Sequence, residues 1–214
     1  MATVVDYASM VQAVQDFFAR TDVTGPGPVD YFIQAAEDRL YDDIIAQNMG
    51  RGTKDFEASI SGAIANGVFA VPNDYLAMKH LLLDNGGATM ELTRRSAEQI
   101  YTLFPTRQAT DIPSDYARDG SSFIFGPYPD SNYSLSGTYW QRAASLSDSN
   151  TTTWMVLQIP GLFSAAVFAE CSGYLKDSEA VQYWEGQYAR KLASYILRSS
   201  LEEVSGSSLA MTPA

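Results

Sequence analysis

One cysteine, Cys171, and one histidine, His80, are all this 214-residue chain offers in thiols and imidazoles. A lone cysteine closes no intrachain disulfide and builds no cysteine-rich zinc site, and nothing in it points to an oxidising compartment. A lone histidine heads a Ser-His-Asp triad only where a serine and an acid converge on it, and the chain has no nucleophile-elbow sequence. Long apolar runs are missing too: none reaches the roughly 18 residues that a membrane-crossing helix needs, so no membrane role is expected. The start, Met1-Ala-Thr-Val-Val-Asp-Tyr7, lacks a basic region followed by an apolar one, which argues against a secretory signal. Cations are scarce, 14 Lys and Arg against 25 Asp and Glu, for a net charge of −11. A nucleic-acid-binding surface requires clustered Lys and Arg, so this balance argues against one. Phosphate and calcium loops are lacking: Asn85-Gly-Gly87 has no following Lys-Ser/Thr, and Asp38, Asp42 and Asp43 lack the spacing and glycine of an EF-hand. No cofactor or catalytic metal is expected.

What is present is apolar and aromatic. Hydrophobic residues make up 46%, enough for a substantial core, and thirteen tyrosines supply rings with a polar handle, suited to interfaces. The negative charge is uneven: residues 1–50 hold Asp6, Asp16, Asp22, Asp30, Glu37, Asp38, Asp42 and Asp43 against Arg20 and Arg39. Such a run ordinarily forms a solvated helix face.

The hydrophobic period changes twice along the chain. Asp6 caps a helix to about Ala19, with Tyr7, Val11, Val14 and Phe18 as its stripe and Met10 and Phe17 beside it. Thr21 to Pro28 contains Gly-Pro-Gly-Pro and cannot be helical. A second helix spans Val29 to Gln47, burying Val29, Phe32, Ile33, Ala36, Leu40 and Ile44, with Glu37, Asp38 and Asp42 off that stripe. Alternation then takes over: Phe56–Ile60, Gly67–Pro72, a hairpin pairing Leu81–Leu83 with Met90–Leu92 across Asp84–Gly87, and a second pairing Tyr116–Arg118 with Phe123–Phe125 across Asp119-Gly120. Tyr133–Trp140 is expected to be the longest strand, and Ser96–Phe104 a short helix with Ala97, Ile100, Leu103 and Phe104 inward. Helical spacing returns in Thr152–Gln158, capped by Asn150 or Thr151, and in an all-round apolar helix opening at Pro160. It ends with Ser178–Ser199, whose stripe is Val181, Trp184, Tyr188, Leu192 and Tyr195. The reading is an α+β fold: a helical bundle from residues 1–50 and 150–204, a β-rich insertion over 51–149 made of short antiparallel strands, and a mobile tail over 205–214.

Three residues invite chemistry. His80 sits in strand-like sequence and reads as structural, and Cys171, on the apolar helix, reads as a small hydrophobe. Glu170, the one charge in the middle of that helix, is either half of a glycoside-hydrolase pair with Glu37 or Asp38, or a helix-edge carboxylate paired with an Arg or Lys. The second is the commoner arrangement, so the chain is not expected to be an enzyme.

Three segments carry a resemblance. They are Phe32-Ile-Gln-Ala-Ala-Glu-Asp-Arg-Leu-Tyr41; Phe69-Ala-Val-Pro-Asn-Asp-Tyr-Leu76; and the series Pro127-Tyr-Pro-Asp130, Tyr139-Trp140, Leu146-Ser-Asp148, Asn150-Thr-Thr-Thr-Trp154 and Ala165 to Asp177. In order and spacing they resemble the head–tail adaptor (connector) proteins of tailed bacteriophages. The first departs from that pattern by one residue inserted before the acid. The resemblance implies a structural virion protein, present in host cytoplasm during assembly, that forms a homo-oligomeric ring of twelve at the phage neck. Its partners would be the portal protein and a downstream tail or nozzle protein, with DNA passing through without sequence-specific contact. Under that reading Glu37, Asp38, Asp42 and Glu170 are candidates for an acidic bore or a subunit interface. Leu201, Val204, Leu209 and Met211, apolar residues near a polar end, are candidates for docking on the portal and ordering there. The rival readings are a carbohydrate-binding tail component using Trp140, Trp154 or exposed tyrosines, and a glycan hydrolase using Glu170.

Overall fold

The structure is a computed structural model that describes residues 3–19, 23, 27–47, 53–106 and 110–204. The chain forms two compact units, one from residues 1–55 and 143–214, the other from 56–142. The first is helical and discontinuous in sequence; the second carries all the strands found among the described residues.

In the helical unit, α1 (Tyr7–Phe18) starts where expected. Asp6 Oδ1 accepts the Ser9 amide at 2.8 Å and Ser9 Oγ accepts the Asp6 amide at 2.9 Å, a reciprocal cap for two orphan donors. Its buried residues are Tyr7, Met10, Ala13 and Val14, so the inward face is turned from the expected one, and Val11 and Phe18 are only half-buried. Two bonds set that rotation: the Tyr7 amide donates to the Thr151 carbonyl at 2.9 Å and the Tyr7 hydroxyl to Asp30 Oδ1 at 2.5 Å. Helix α2 (Pro28–Gln47) buries the six expected apolar residues and also Glu37 and Tyr41. Pro28, expected in the break, instead opens α2, where its missing N–H costs nothing, and the rest of the expected break at Thr21–Pro28 and the one after Gln47 fall largely outside the described residues.

The short α4 (Trp154–Gln158) has Thr153 at its N-cap with no side-chain bond. Neither expected cap serves it: Asn150 Nδ2 instead donates to the carbonyls of Ala144 and Ser145 at 2.9 and 3.0 Å, and the Thr151 carbonyl is taken by Tyr7. Helix α5 (Pro160–Tyr174) is buried on almost every side and packs against α1, α2, α4 and the last helix, α6 (Ser178–Val204). Ala165, Ala166 and Ala169 allow that close approach. Helix α6 buries Trp184, Tyr188, Leu192, Tyr195 and Ser199 at spacings of three or four, and runs past Ser199 to Val204.

In the β-rich unit, β1 (Glu57–Ala63), β3 (Tyr75–Asp84), β4 (Thr89–Glu91) and β10 (Ser134–Gln141) form one antiparallel sheet in the order β1-β10-β3-β4. A second sheet holds β2 (Val68–Ala70), β5 (Thr93–Arg94), β7 (Asp115–Asp119) and β8 (Ser122–Gly126) in the order β2-β8-β7-β5, with β5 parallel to β7. A parallel pair joins β6 (Thr110–Asp111) to β9 (Tyr128–Pro129). One core cluster draws on both four-stranded sheets: Ile60, Met78, Leu81, Leu135 and Tyr139 from the first, Tyr116, Phe123 and Phe125 from the second. On the other face of the second sheet, Ala117 and Ile124 meet Ile100 of α3 (Ala97–Leu103), whose N-cap Ser96 is boxed by Gln99. Leu103, expected inward, is 53% exposed.

The longest strand is β3, at 10 residues, rather than β10, at 8. The register with β10 slips between Thr138 and Tyr139, which pair with His80 and Met78, so Lys79 is the extra residue of a bulge. The slip lets Met78 and Leu81 both face inward although three residues apart, which hides the strand from a search for strict alternation. Gly137 lies between Leu81 and Ile60 in the ladder, where a Cβ would come within 2.4 Å of the His80 carbonyl oxygen. At Leu92 the chain changes sheets: its amide donates to the Leu81 carbonyl and the next amide, of Thr93, to the Ser114 carbonyl, both at 2.9 Å.

Candidate functional site

Polar chemistry in the helical unit gathers around Arg39 on α2. Its guanidinium donates to both carboxylate oxygens of Glu185 on α6, at 2.7 and 2.5 Å, and lies 3.5 Å from Glu170 on α5 and 3.6 Å from Asp43 one turn along α2. It also sits 4.2 Å from the centroid of the Tyr188 ring, whose hydroxyl donates to Asp43 at 2.6 Å. Bidentate pairing and stacking on one side chain use the planar fork that lysine lacks. The Glu185 carboxyl is held below its usual range, first by the bond from Arg39 and then by that charge. The Tyr188 hydroxyl is pushed well above its ordinary value by burial and by the neighbouring Asp43 carboxylate.

Of the two arrangements weighed for Glu170, the structure shows the pairing with an arginine, Arg39. Glu37 lies elsewhere. It is only 4% exposed and its carboxylate accepts the Leu146 amide at 2.9 Å, so its place off the buried stripe is corrected, and it is withdrawn from any solvent-lined bore. Nearby the Tyr41 hydroxyl accepts the Ala143 amide at 2.9 Å and Trp154 Nε1 at 3.3 Å. These bonds tie residues 143–150 to the helices, which is why they belong to the helical unit and not to the β-rich insertion. Sequence reasoning missed Tyr41. Counting it as buried widens the α2 stripe to include the Glu37 position between Ile33 and Tyr41.

Asp38 and Asp42, one turn apart on α2, are exposed, and so is Tyr31 on the same flank, at 67%. Leu201 is 71% exposed on α6. Val204 closes that helix, and its side chain, Leu209, Met211 and the expected mobile tail 205–214 all lie outside the described residues. His80 is half-buried in β3, with Thr138 opposite, and Cys171 is buried in α5. Of the tryptophans proposed for sugar stacking, both Trp140 and Trp154 are half-buried, and Trp154 is engaged with Tyr41 and Tyr195. No group of three or more His, Cys, Asp or Glu able to hold a metal occurs among the described residues, and no described helix is long and apolar enough to cross a membrane.

Comparison with known proteins adds one finding. A family model described as SU10 adaptor protein matches residues 5–212, nearly the whole sequence. Curated proteins yield no match.

Proposed function

Because the chain belongs to the SU10 adaptor protein family, and is thus a structural component of a bacteriophage virion, we propose that it is the head-to-tail adaptor itself. In this reading copies assemble as a ring of twelve between the portal protein and the downstream tail or nozzle protein, after synthesis in host cytoplasm. The match over residues 5–212 carries the proposal, because it takes in both structural units at once. A closed ring requires two different surfaces per subunit in head-to-tail contact, which the helical unit's distinct flanks can supply. Each copy adds −11 to the assembly, so a genome in transit meets a repulsive surround and does not adhere.

Of the apolar residues near the end, Leu201 and Val204 already stand on α6 and would offer it to the portal, while Leu209 and Met211 would order there and lose their conformational freedom on docking. Because α6 continues to Val204, the informative truncation falls after Val204 and spares the helix. Mixing the full chain with portal protein should give a heavier complex by mass measurement and a ring in negative-stain images. The truncated chain should keep its circular dichroism and lose the complex. A full chain that ignores the portal would overturn the adaptor role, and a truncated chain that still binds would discard Leu209 and Met211 as docking residues.

A further inference from the structure

The cations of this acidic chain are not all neutralised within it. Arg190, Lys191 and Arg198 of α6 line a groove of about 480 Å³ together with Pro160 and Gly161 at the start of α5. A Cβ on Gly161 would come within 3.0 Å of Lys191 Nζ. The N-terminus of a 15-residue helix carries partial positive charge and favours anions, yet α5 has no acid in its first turn and no side-chain cap. Among the described residues Lys191 has no carboxylate partner, Arg190 bonds only Gln187, and the acid nearest Arg198 is Glu202, at 3.9 Å. Three cations thus stand at the end of a helix where a carboxylate would be expected.

Resting on the ring reading above, we infer that this groove is one half of the subunit contact. The other half is the exposed flank of α2 on a second copy, with Asp38 and Asp42. The two surfaces are different, as a head-to-tail ring needs, and both belong to the helical unit. Their charges are opposite, and each has an exposed apolar side chain beside it: Leu197, 67% exposed and seven residues from Arg190 on α6, next to the groove and not in its lining, and Tyr31 on the α2 flank. A phosphate backbone has no use for Leu197, and the chain's overall charge repels DNA, so the observations favour a protein carboxylate.

Two full-length variants test this. One carries Asp38→Lys and Asp42→Lys, so that its α2 flank and its groove are both basic; the other carries Arg190→Glu, Lys191→Glu and Arg198→Glu, so that both are acidic. Each should self-associate at least ~10-fold more weakly than the native chain by sedimentation, since like charges now face one another. A one-to-one mixture should recover assembly, because each acidic surface again finds a basic one, and it recovers only if both variants are folded. Added salt should weaken the native contact. Native assembly that neither variant changes would overturn this contact and leave the ring reading standing. Variants that stay apart when mixed would also overturn it. A native chain that never self-associates, even on the portal, would overturn both. Duplex DNA bound by the native chain and lost only in the acidic-groove variant, with assembly intact, would show a nucleic-acid surface instead.

Discussion

In the helical unit the elements converge on single side chains: Arg39 joins α2 to α5 and α6, while Glu37 and Tyr41 reach the backbone of residues 143 and 146. In the β-rich unit cohesion is spread along ladders and across an aromatic and aliphatic layer, with Tyr75, Tyr116, Phe123 and Tyr139 ring to ring. The charge follows the same division. The residues of the helical unit hold sixteen acids against eight Lys and Arg, those of the β-rich unit nine against six. Both units depend on area removed from water, and the helical unit adds electrostatic junctions that substitution and pH can release.

Emptying one core at a time should separate the two units most clearly. Phe163 in α5 and Phe123 in β8 are both fully buried, and either changed to Ala should cost about 3–5 kcal/mol. Hydrogen exchange should then show amides of α5 and α6 losing protection for Phe163→Ala, and those of β7 and β8 for Phe123→Ala. Equal loosening of both units by either substitution would erase the distinction.

Next in size is Arg39→Met, expected to destabilise the helical unit by about 1–2 kcal/mol in urea. The figure is discounted because the Arg39 and Glu185 side chains are 28% and 43% exposed. Since the folded protein holds the Glu185 carboxyl below its ordinary 4.5, the contribution is present above that pH and lost as pH falls through the folded value. The native urea midpoint should drop with acidification more steeply than that of Arg39→Met. Parallel acid limbs would remove the junction from the account.

The smallest effect lies on the alkaline side. Folding raises the Tyr188 hydroxyl by burial and by Asp43, and burial raises that of Tyr116 to about 12. A phenol raised on folding contributes fully below its unfolded value of 10 and loses that contribution as pH rises toward the folded one. Tyr188→Phe should cost ~1 kcal/mol at neutral pH for the lost bond to Asp43, and should flatten the alkaline decline. Tyr116→Phe should flatten it less.

Legibility in the sequence divides along the same line. Local signals carried part of the fold: Asp6 caps α1, α2 and α6 bury nearly the stripes their spacing implies, and Asp119-Gly120 turns the hairpin of Tyr116 and Phe125, while the structure departs from the expected α4 cap and α1 stripe. Non-local pairing left no such trace. That β1 lies beside β10 depends on strands more than seventy residues apart, and the parallel β5–β7 pair depends on the sheet change at Leu92. The apolar helix α5 shows another limit: a helix apolar all round announces burial but not which neighbour meets which side. Of the acids singled out, Asp38 and Asp42 face solvent as a charge run suggests. Glu37 does not, because its partner is a backbone amide 109 positions away, at Leu146, for which the sequence carries no mark.

The change of sheet at Leu92 has a mechanical side. Because adjoining peptide groups belong to opposite layers, the sandwich is stitched through by its own main chain, and sliding one layer across the other would tear two hydrogen bonds at a single seam. A load entering either layer is therefore passed to the other at that seam.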